Sequence, residues 1–224
     1  MKTFSAFFLI LLAGIVSPVF AQEFTTAQVL AKLDEKAKAF TSLEATLSNL
    51  EVEVGIKAPL QVGKVYIKMD KSIPRLLWDI TEPKGQRMTV LIDNGMLTSY
   101  SKDTGNVHKQ PIEQNTELLQ LLVIGFGVPS GTLSKNYTAE AKGTQPEGNT
   151  QAVVLELKSA TAATAKYPKL TLFLDPQTWT PLRTRVTEKG ATASDYHDFM
   201  YSNVKLNKGV SDSVFKLDIP NKTK

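Results

Sequence analysis

The residues best suited to acid–base or metal chemistry in this chain are its two histidines, His108 and His197. His197 lies in the run Asp195-Tyr196-His197-Asp198, where neighbouring carboxylates could orient an imidazole that acts as a base. The alternative is a polar turn or a solvent-facing strand, and we favour this second interpretation. His108 lies between Val107 and Lys109, with no acid or nucleophile pattern beside it.

Other catalytic and metal-binding patterns are missing from the sequence. The chain has no cysteine, and two histidines alone do not supply the three or four ligands of a zinc site. Gly-rich phosphate loops and a Gly-x-Ser-x-Gly elbow are absent, and Asp93-Asn94-Gly95 lacks the other ligand positions of a calcium loop. We therefore predict no catalytic residue, no metal site, no cofactor and no enzymatic activity.

The first 21 residues have the pattern of a cleavable signal peptide. Lys2 is followed by an apolar run from Phe4 to Val16. Val19 and Ala21 then occupy the −3 and −1 positions of a cleavage site after Ala21, where a signal peptidase requires small residues. The apolar run is shorter than the roughly 20 residues that span a bilayer. Cleavage would leave Gln22, which cannot carry a lipid, so we expect a soluble protein exported to the periplasm.

Residues 22–224 are predicted to form one domain. No long linker or change in composition divides them, and the absence of cysteine means that stability must come from a buried core. The formal net charge is only +4, and the basic residues are spread along the chain. This pattern argues against nucleic-acid binding, and we expect a monomer.

Two segments are apolar enough to pack over one face of a β-sheet. Residues 26–41 are predicted to form an amphipathic helix, with Val29, Leu33 and Phe40 on its apolar stripe. In residues 118–128 only Gln120 is polar, and Gly125, Gly127 and Pro129 end the segment. Because this second segment is apolar on all sides and too short to span a bilayer, we expect it to be buried against the sheet.

The rest of the chain alternates apolar and polar residues with the period of β-strands. We predict a mainly β fold of about ten or eleven short strands, separated by turns, in a sandwich or barrel-like sheet. Val52, Val54 and Ile56 belong to one predicted strand, Asp93-Asn94-Gly95 marks a hairpin, and residues 215–219 form the predicted last strand.

The bulky residues Leu76, Trp78 and Ile80 fall on one face of the predicted sheet. If the two covering segments leave space above this face, the result is an apolar pocket suited to a lipid or acyl chain. If the same side chains fill the space, they form an ordinary dry core. The pattern alone leaves both alternatives open.

Several short motifs, in their order and spacing, resemble those of the LolA-type outer-membrane lipoprotein carrier family. The resemblance extends over nearly the whole chain after residue 21. It is carried by GKVYIK at 63–68, PRLLWDITEP at 74–83, LFLDPQT at 172–178, PLR at 181–183 and YSNVKLN at 201–207.

This resemblance implies a curved, incomplete antiparallel β-barrel that is covered by helices and has an apolar cavity for acyl chains. It also implies a non-enzymatic carrier that moves acylated lipoproteins from the inner to the outer membrane. Its partners would be an inner-membrane ABC-type complex and an outer-membrane receptor. By position, the residues predicted to line the cavity are Val29, Leu33, Phe40, Leu76, Trp78, Ile80, Leu118, Leu122 and Phe126.

The sequence departs from this family at one position. Family members carry an Arg directly before the proline of the Trp-containing strand, where it latches the helical cover. Here Ile73 precedes Pro74, and the nearby cation is Arg75, which follows the proline.

Alternative functions remain on the same fold or outside it. One is a lipid- or lipoprotein-sensing regulator, and another is a glycolipid carrier. A third is an exported enzyme with a dispersed active site, for which Asp195, His197 and Asp198 are the residues to substitute, because a carrier should tolerate their replacement.

Overall fold

The computed structural model of the chain describes residues 24–70, 73–112, 123–162, 165–192, 194–217 and 219. The predicted signal peptide, Leu118 and Leu122 lie outside these residues. Two α-helices and one 3₁₀ helix are present in the described part: α1 (Thr26–Ala39), α2 (Ser130–Leu133) and the 3₁₀ helix Asp212–Phe215. The strands are β1 (Ser42–Glu53), β2 (Ile56–Lys57), β3 (Gln61–Asp70), β4 (Ile73–Glu82), β5 (Met88–Asp93), β6 (Met96–Ser101), β7 (Val107–Pro111), β8 (Tyr137–Glu147), β9 (Thr150–Ser159), β10 (Lys169–Leu174), β11 (Pro181–Thr187) and β12 (Tyr196–Leu206).

Helix α1 confirms the predicted amphipathic helix, two residues shorter at its end. Its start is fixed by a capping box: the Thr25 hydroxyl accepts a hydrogen bond from the Gln28 amide, and the Gln28 side chain accepts one from the Thr25 amide. This reciprocal pair satisfies two amides that the first turn leaves without partners. None of the helices in the described residues is long and apolar enough to cross a membrane.

All strands belong to one antiparallel sheet that does not close on itself. The order is β7-β6-β5-β4-β3-β1-β12-β11-β10-β9-β8, with the two-residue β2 paired to β1. Strand β1 is central, because it pairs with β3 on one side and with the last strand, β12, on the other. The sheet is curved and open, as the family resemblance implied. It has eleven strands along this path and a twelfth beside it, compared with the ten or eleven predicted.

The two faces of the sheet carry different residues, since successive side chains of a strand point to opposite sides. Apolar residues from nearly every strand alternate onto one side, which we call the inner face. Leu76, Trp78 and Ile80 of β4 share this face, as predicted. Val29 and Leu33 of α1 and its C-cap residue Phe40, which we count with α1, pack into the same cluster, so α1 covers the inner face.

The opposite side, the outer face, has a smaller apolar cluster that the C-terminal segment completes. Val210 and Phe215 pack there against Leu77 of β4 and Leu91 of β5. The predicted strand over residues 215–219 is therefore wrong: Phe215 ends the 3₁₀ helix, and the described residues 216, 217 and 219 belong to no strand. Packing of Phe215 onto the outer face takes this segment away from the edges of the sheet.

The prediction of one continuous strand through Val52, Val54 and Ile56 is also wrong. Strand β1 ends at Glu53, and Val54 and Gly55 form the turn to β2 with positive φ angles of 50° and 75°. Asn94 and Gly95 have the same left-handed conformation and form the hairpin turn that was predicted there. Val54 and Ile56 are consequently exposed, at 76% and 74% of their surface.

Two glycines allow the apolar segment 123–128 to lie close to its neighbours. A side chain at Gly127 would place its Cβ 2.4 Å from the Phe40 ring, and one at Gly125 would lie 2.6 Å from Pro181. Gly125 also has a φ of 80°, which other residues rarely adopt. The segment therefore packs against α1 because its glycines have no side chains.

We predict that Gly127→Ala lowers the free energy of unfolding by about 1–3 kcal/mol, because the added methyl group overlaps the buried Phe40 ring. Chemical denaturation measures the change. Gly131→Ala in α2 is the matched control, since open space surrounds its Cβ position. Equal stability of the two variants would contradict the close contact between the segment and α1.

Candidate functional site

Seven of the nine residues predicted to line a cavity lie in the described part of the chain, and the structure brings all seven together. They belong to the single large apolar cluster between the inner face and α1. Leu118 and Leu122 lie outside the described residues. The seven are Val29, Leu33 and Phe40 from α1, Leu76, Trp78 and Ile80 from β4, and Phe126 from segment 123–128.

Side chains of this cluster fill the space beneath α1 in the observed conformation. The rings of Phe40 and Phe126 are 6.4 Å apart, and those of Phe126 and Tyr201 are 5.1 Å apart in an edge-to-face arrangement. Val29 and Leu76 have no exposed surface at all. An acyl chain could enter this space only if α1 or segment 123–128 moved away from the inner face.

The middle of α1 is held by a short polar link. The Ser130 amide and hydroxyl, at the start of α2, donate to the two carboxylate oxygens of Asp34 at 2.6 and 2.7 Å. These hydrogen bonds, first from the side chain and then from the backbone, hold the pKa of Asp34 below its ordinary value. The negative charge of Asp34 is therefore part of the link.

The two ends of α1 are held by one side chain each. At the first turn, the Thr26 hydroxyl accepts a hydrogen bond from the Ala141 amide of edge strand β8 at 2.9 Å. At the other end, the Asn207 amide group donates to the Ala39 carbonyl at 2.9 Å, and its oxygen accepts the Thr41 amide at 2.8 Å. We call these contacts, together with Asp34–Ser130, the three links of α1.

The residues of the three links were not identified from the sequence. Asp34 lies on the polar side of an amphipathic helix, where a charged residue normally faces water. Its partner Ser130 lies 96 positions away in the chain, and no local pattern connects the two. A weak signal existed at Asn207, since Asn is one of the few residues that tolerate the left-handed conformation seen there, with a φ of 56°.

Arg75 has a structural role on the outer face rather than at the cover. Its guanidinium group pairs with Asp93 and Asp212, each at 2.7 Å, and lies 4.5 Å from the centre of the Phe215 ring. These contacts fix the C-terminal segment against the back of β4. Arg75 therefore does not replace the Arg that latches the cover in the LolA-type family.

The residues of the Asp195–Asp198 run take separate structural positions, as the non-catalytic interpretation expects. Asp195 accepts the amides of Val54 and Thr192, at 2.6 and 2.9 Å, and so fixes two turns. Asp198 points to the outer face. His197 lies 3.9 Å from Glu188, a distance too long for a hydrogen bond.

Asp198 is the buried charge of this region. It is only 4% exposed, and it accepts hydrogen bonds from Arg183 at 3.1 Å and from Arg185 at 2.7 Å. Arg183 also pairs with Glu147 and stacks on the Phe173 ring. Asp198 is therefore shared by two arginines on the outer face, and Glu147 supplies a second carboxylate to Arg183.

No cluster of three or more His, Asp or Glu side chains in the described ranges has the geometry to hold a metal ion. The shallow pocket nearest to His197 has a volume of about 270 Å³ and is lined by the ends of β1 and β12 and by the 188–191 turn. Its carboxylates include Asp195, which the two backbone amides already occupy. The inner face is the better candidate site.

We predict opposite results for two neighbouring substitutions. Asp198→Ala should lower the free energy of unfolding by about 1–3 kcal/mol, because it leaves two arginines without their shared carboxylate. His197→Ala should change it by less than about 0.5 kcal/mol, since the ring makes no short hydrogen bond. Urea denaturation distinguishes the two. Destabilisation by His197→Ala comparable to that of Asp198→Ala would contradict these assignments.

The sequence itself matches no protein-family model, and no curated protein sequence is significantly similar to it. Its fold is similar to solved structures. An uncharacterised conserved protein from Thermus thermophilus has a TM-score of 0.55 at 12% identity, covering 88% of this chain and 94% of that one. MucB has a TM-score of 0.53 at 14% identity over 86% of this chain.

The chain spans 62% of the length of MucB. A LolA superfamily protein from Nitrosomonas europaea is similar at a TM-score of 0.40 and 13% identity, over 87% of this chain. The two similarities with a TM-score above 0.5, to the Thermus protein and to MucB, show a shared fold at low identity and leave function open. The open, curved antiparallel sheet with α1 across its inner face is the architecture that the sequence resemblance implied.

Proposed function

We propose that the protein binds the acyl chains of a lipidated ligand between the inner face of its sheet and α1, and that it carries lipoproteins through the periplasm. The observation that supports this most directly is the continuous apolar surface beneath a helix with few polar attachments. The seven residues named above form the part of this surface that we expect the ligand to contact.

The attachment of α1 is mainly apolar, which favours exchange with a lipid. Burial of Val29, Leu33 and Phe40 contributes about 1.5–3 kcal/mol each. A neutral hydrogen bond such as those of Thr26 and Asn207 contributes about 1 kcal/mol, and one to the charged Asp34 about 1.5–3 kcal/mol. An acyl chain gains about 0.8 kcal/mol for each buried CH₂, so its entry can offset the contacts that α1 loses when it moves.

Transfer between two membranes also sets a limit on affinity. A bilayer offers an acyl chain nearly the same free energy as an apolar protein interior, so uptake from a membrane is close to balanced. A carrier of this kind needs a partner that loads it and a receptor that unloads it. We propose an inner-membrane ABC-type complex and an outer-membrane receptor for these roles, with export by the signal peptide at residues 1–21.

A lipid-sensing regulator is the second candidate. It is favoured by the similarity to MucB, whose structure is known in complex with MucA. On this alternative the ligand would occupy the same inner face, and its entry would alter the binding of a protein partner. The two functions differ in whether a bound lipoprotein is passed on to a membrane.

The proposal predicts that locking α1 blocks ligand entry. The chain has no cysteine, so a pair can be introduced without competing thiols. In Asp34→Cys/Ser130→Cys the new thiols replace side chains that are in direct contact. Oxidation of this variant should reduce the uptake of a fluorescent acylated lipopeptide at least about tenfold, and reduction should restore it.

The single variants Asp34→Cys and Ser130→Cys are the controls, because each loses the same polar link without forming a disulfide bond. Both should take up the lipopeptide under oxidising and reducing conditions alike. Uptake that is equal in the locked and reduced double variant would refute entry beneath α1. A reduced protein that binds no acylated peptide would refute the carrier proposal itself.

The link between Asp34 and Ser130 also predicts a dependence on pH. The folded pKa of Asp34 is lowered, so the link stabilises α1 fully above the ordinary aspartate pKa of about 3.9 and is lost as the pH falls through the lower, folded value. The protection factors of the α1 amides, which correct for the intrinsic effect of pH on exchange, should therefore fall over this acidic range in the wild type.

Asp34→Asn should show faster exchange in α1 at neutral pH and a smaller change on acidification, since it has no carboxylate to titrate. Glu35→Gln is the matched control on the same helix, because Glu35 is exposed and pairs only with Lys32. It should keep the acidic transition of the wild type. A transition that persists unchanged in Asp34→Asn would show that another group is responsible.

A further inference from the structure

The inner face contains a group of buried polar atoms without hydrogen-bond partners among the described residues. Thr184 has no exposed surface, Tyr201 is 7% exposed and Trp78 is 9% exposed. Asn49 is half-buried, but its side-chain oxygen is fully enclosed. The four atoms are Asn49 Oδ1, Trp78 Nε1, Thr184 Oγ1 and the Tyr201 hydroxyl oxygen.

All four residues surround one side chain, that of Phe199. Asn49 of β1 and Thr184 of β11 are its direct partners on the two neighbouring strands. Residues paired in this way in an antiparallel sheet share a face, and Phe199 lies in the inner cluster. Tyr201 is the next residue of β12 on that face, and the ring of Trp78 is 6.4 Å from that of Phe199.

This arrangement is unusual because a buried polar atom that has left water without gaining a partner destabilises the protein. The outer face shows that the chain otherwise satisfies such groups: the buried Thr89 hydroxyl donates to Asp79 at 2.8 Å. Burial raises the pKa of Tyr201, and the neighbouring Thr184 hydroxyl lowers it to a smaller extent. The two hydroxyls nevertheless do not meet the geometry of a hydrogen bond. The unpaired atoms are thus concentrated where a ligand is proposed to enter.

Three of the four atoms are donors and favour a neutral group rich in acceptors, whereas the fourth, Asn49 Oδ1, can only accept. The indole N–H and the two hydroxyls can donate, and burial raises the pKa of Tyr201, so its hydroxyl keeps its proton. The Asn49 amide group already donates to Gln61 at 3.1 Å. A plain hydrocarbon satisfies none of these donors, and no cation lies among the four to pair with a buried carboxylate.

We infer that the three donors around Phe199, which are Trp78 Nε1 and the hydroxyls of Thr184 and Tyr201, bind the carbonyl group of an ester- or amide-linked acyl chain. A carbonyl oxygen accepts up to two hydrogen bonds and carries no charge, so it matches two of the donors at once. The inference rests on the proposed function, because the carbonyl reaches this site only with its chain beneath α1. It adds that the site recognises the acyl linkage and not only the apolar chain.

The experiment compares the binding of a diacylglycerol with that of the dialkyl glycerol ether of the same chain length, which lacks the carbonyls. Competition with a fluorescent fatty acyl probe measures both affinities for the full protein. The wild type should prefer the ester by about 5–30-fold, the effect of one or two hydrogen bonds. Tyr201→Phe and Thr184→Val should each reduce this preference to within about threefold.

Thr89→Val is the matched control, since it removes a buried hydroxyl from the outer face. It should keep the preference of the wild type for the ester. Its melting temperature should fall, because it loses a hydrogen bond to Asp79. Tyr201→Phe without ligand should instead melt at the same temperature or a few degrees higher, because its hydroxyl has no partner to lose.

Each other outcome has a definite meaning. Equal binding of ester and ether by the wild type, or an unchanged preference in Tyr201→Phe and Thr184→Val, would overturn this inference and leave the proposed acyl-binding function standing. A lower melting temperature for Tyr201→Phe would show that the hydroxyl serves the ligand-free fold and would also overturn it. Failure of both lipids to bind would overturn the proposed function and this inference together.

Discussion

The structure depends on one constraint: an open, curved sheet with an apolar inner face cannot leave that face in water. A closed barrel would cover it with its own strands, but β7 and β8 remain as separate edges here. Helix α1 and segment 123–128 supply the cover instead. They are added to the sheet and are not part of it. On the proposed function, an acyl chain therefore replaces their contacts without breaking the strand pairing, and the stability of the sheet is separate from the binding of the ligand.

The polar interactions are distributed in a way that preserves this separation. The network of Arg183, Arg185 and Asp198 and the contacts of Arg75 with Asp93 and Asp212 lie on the outer face. They stiffen the sheet from behind. On the inner side, α1 is held by three links: the pair of Asp34 with Ser130, the Thr26 side chain and the Asn207 side chain. The back of the protein is thus fixed by charge networks, and the front is held mainly by apolar contacts of low specificity.

The sequence predicted the parts of this arrangement that follow from periodicity. Alternation identified the strands and placed Leu76, Trp78 and Ile80 together, and helical spacing identified α1. Val54 was misassigned because a β-branched residue in a strand-like pattern gives no sign that it occupies a left-handed turn. Phe215 was misassigned because an apolar residue can join a sheet or pack onto its back. The links through Ser130 and Asn207 join residues that are distant in sequence. Thr184 and Tyr201 lie on different strands, and no sequence pattern shows that their hydroxyls are buried without a hydrogen bond. Only the three-dimensional contacts identify these residues.

The pairing of β1 with β12 has a consequence for the order of folding. Strands β3 to β7 and β8 to β12 are two runs in which each strand pairs with its neighbour in sequence, so both can form from local contacts. Strand β1 has one free edge until β12, the last strand of the chain, is available. Strand β12 also supplies Phe199 and Tyr201 to the inner face, and Asn207 follows directly to hold the end of α1. We therefore expect the two halves to join and the inner face to be covered in the same step of folding.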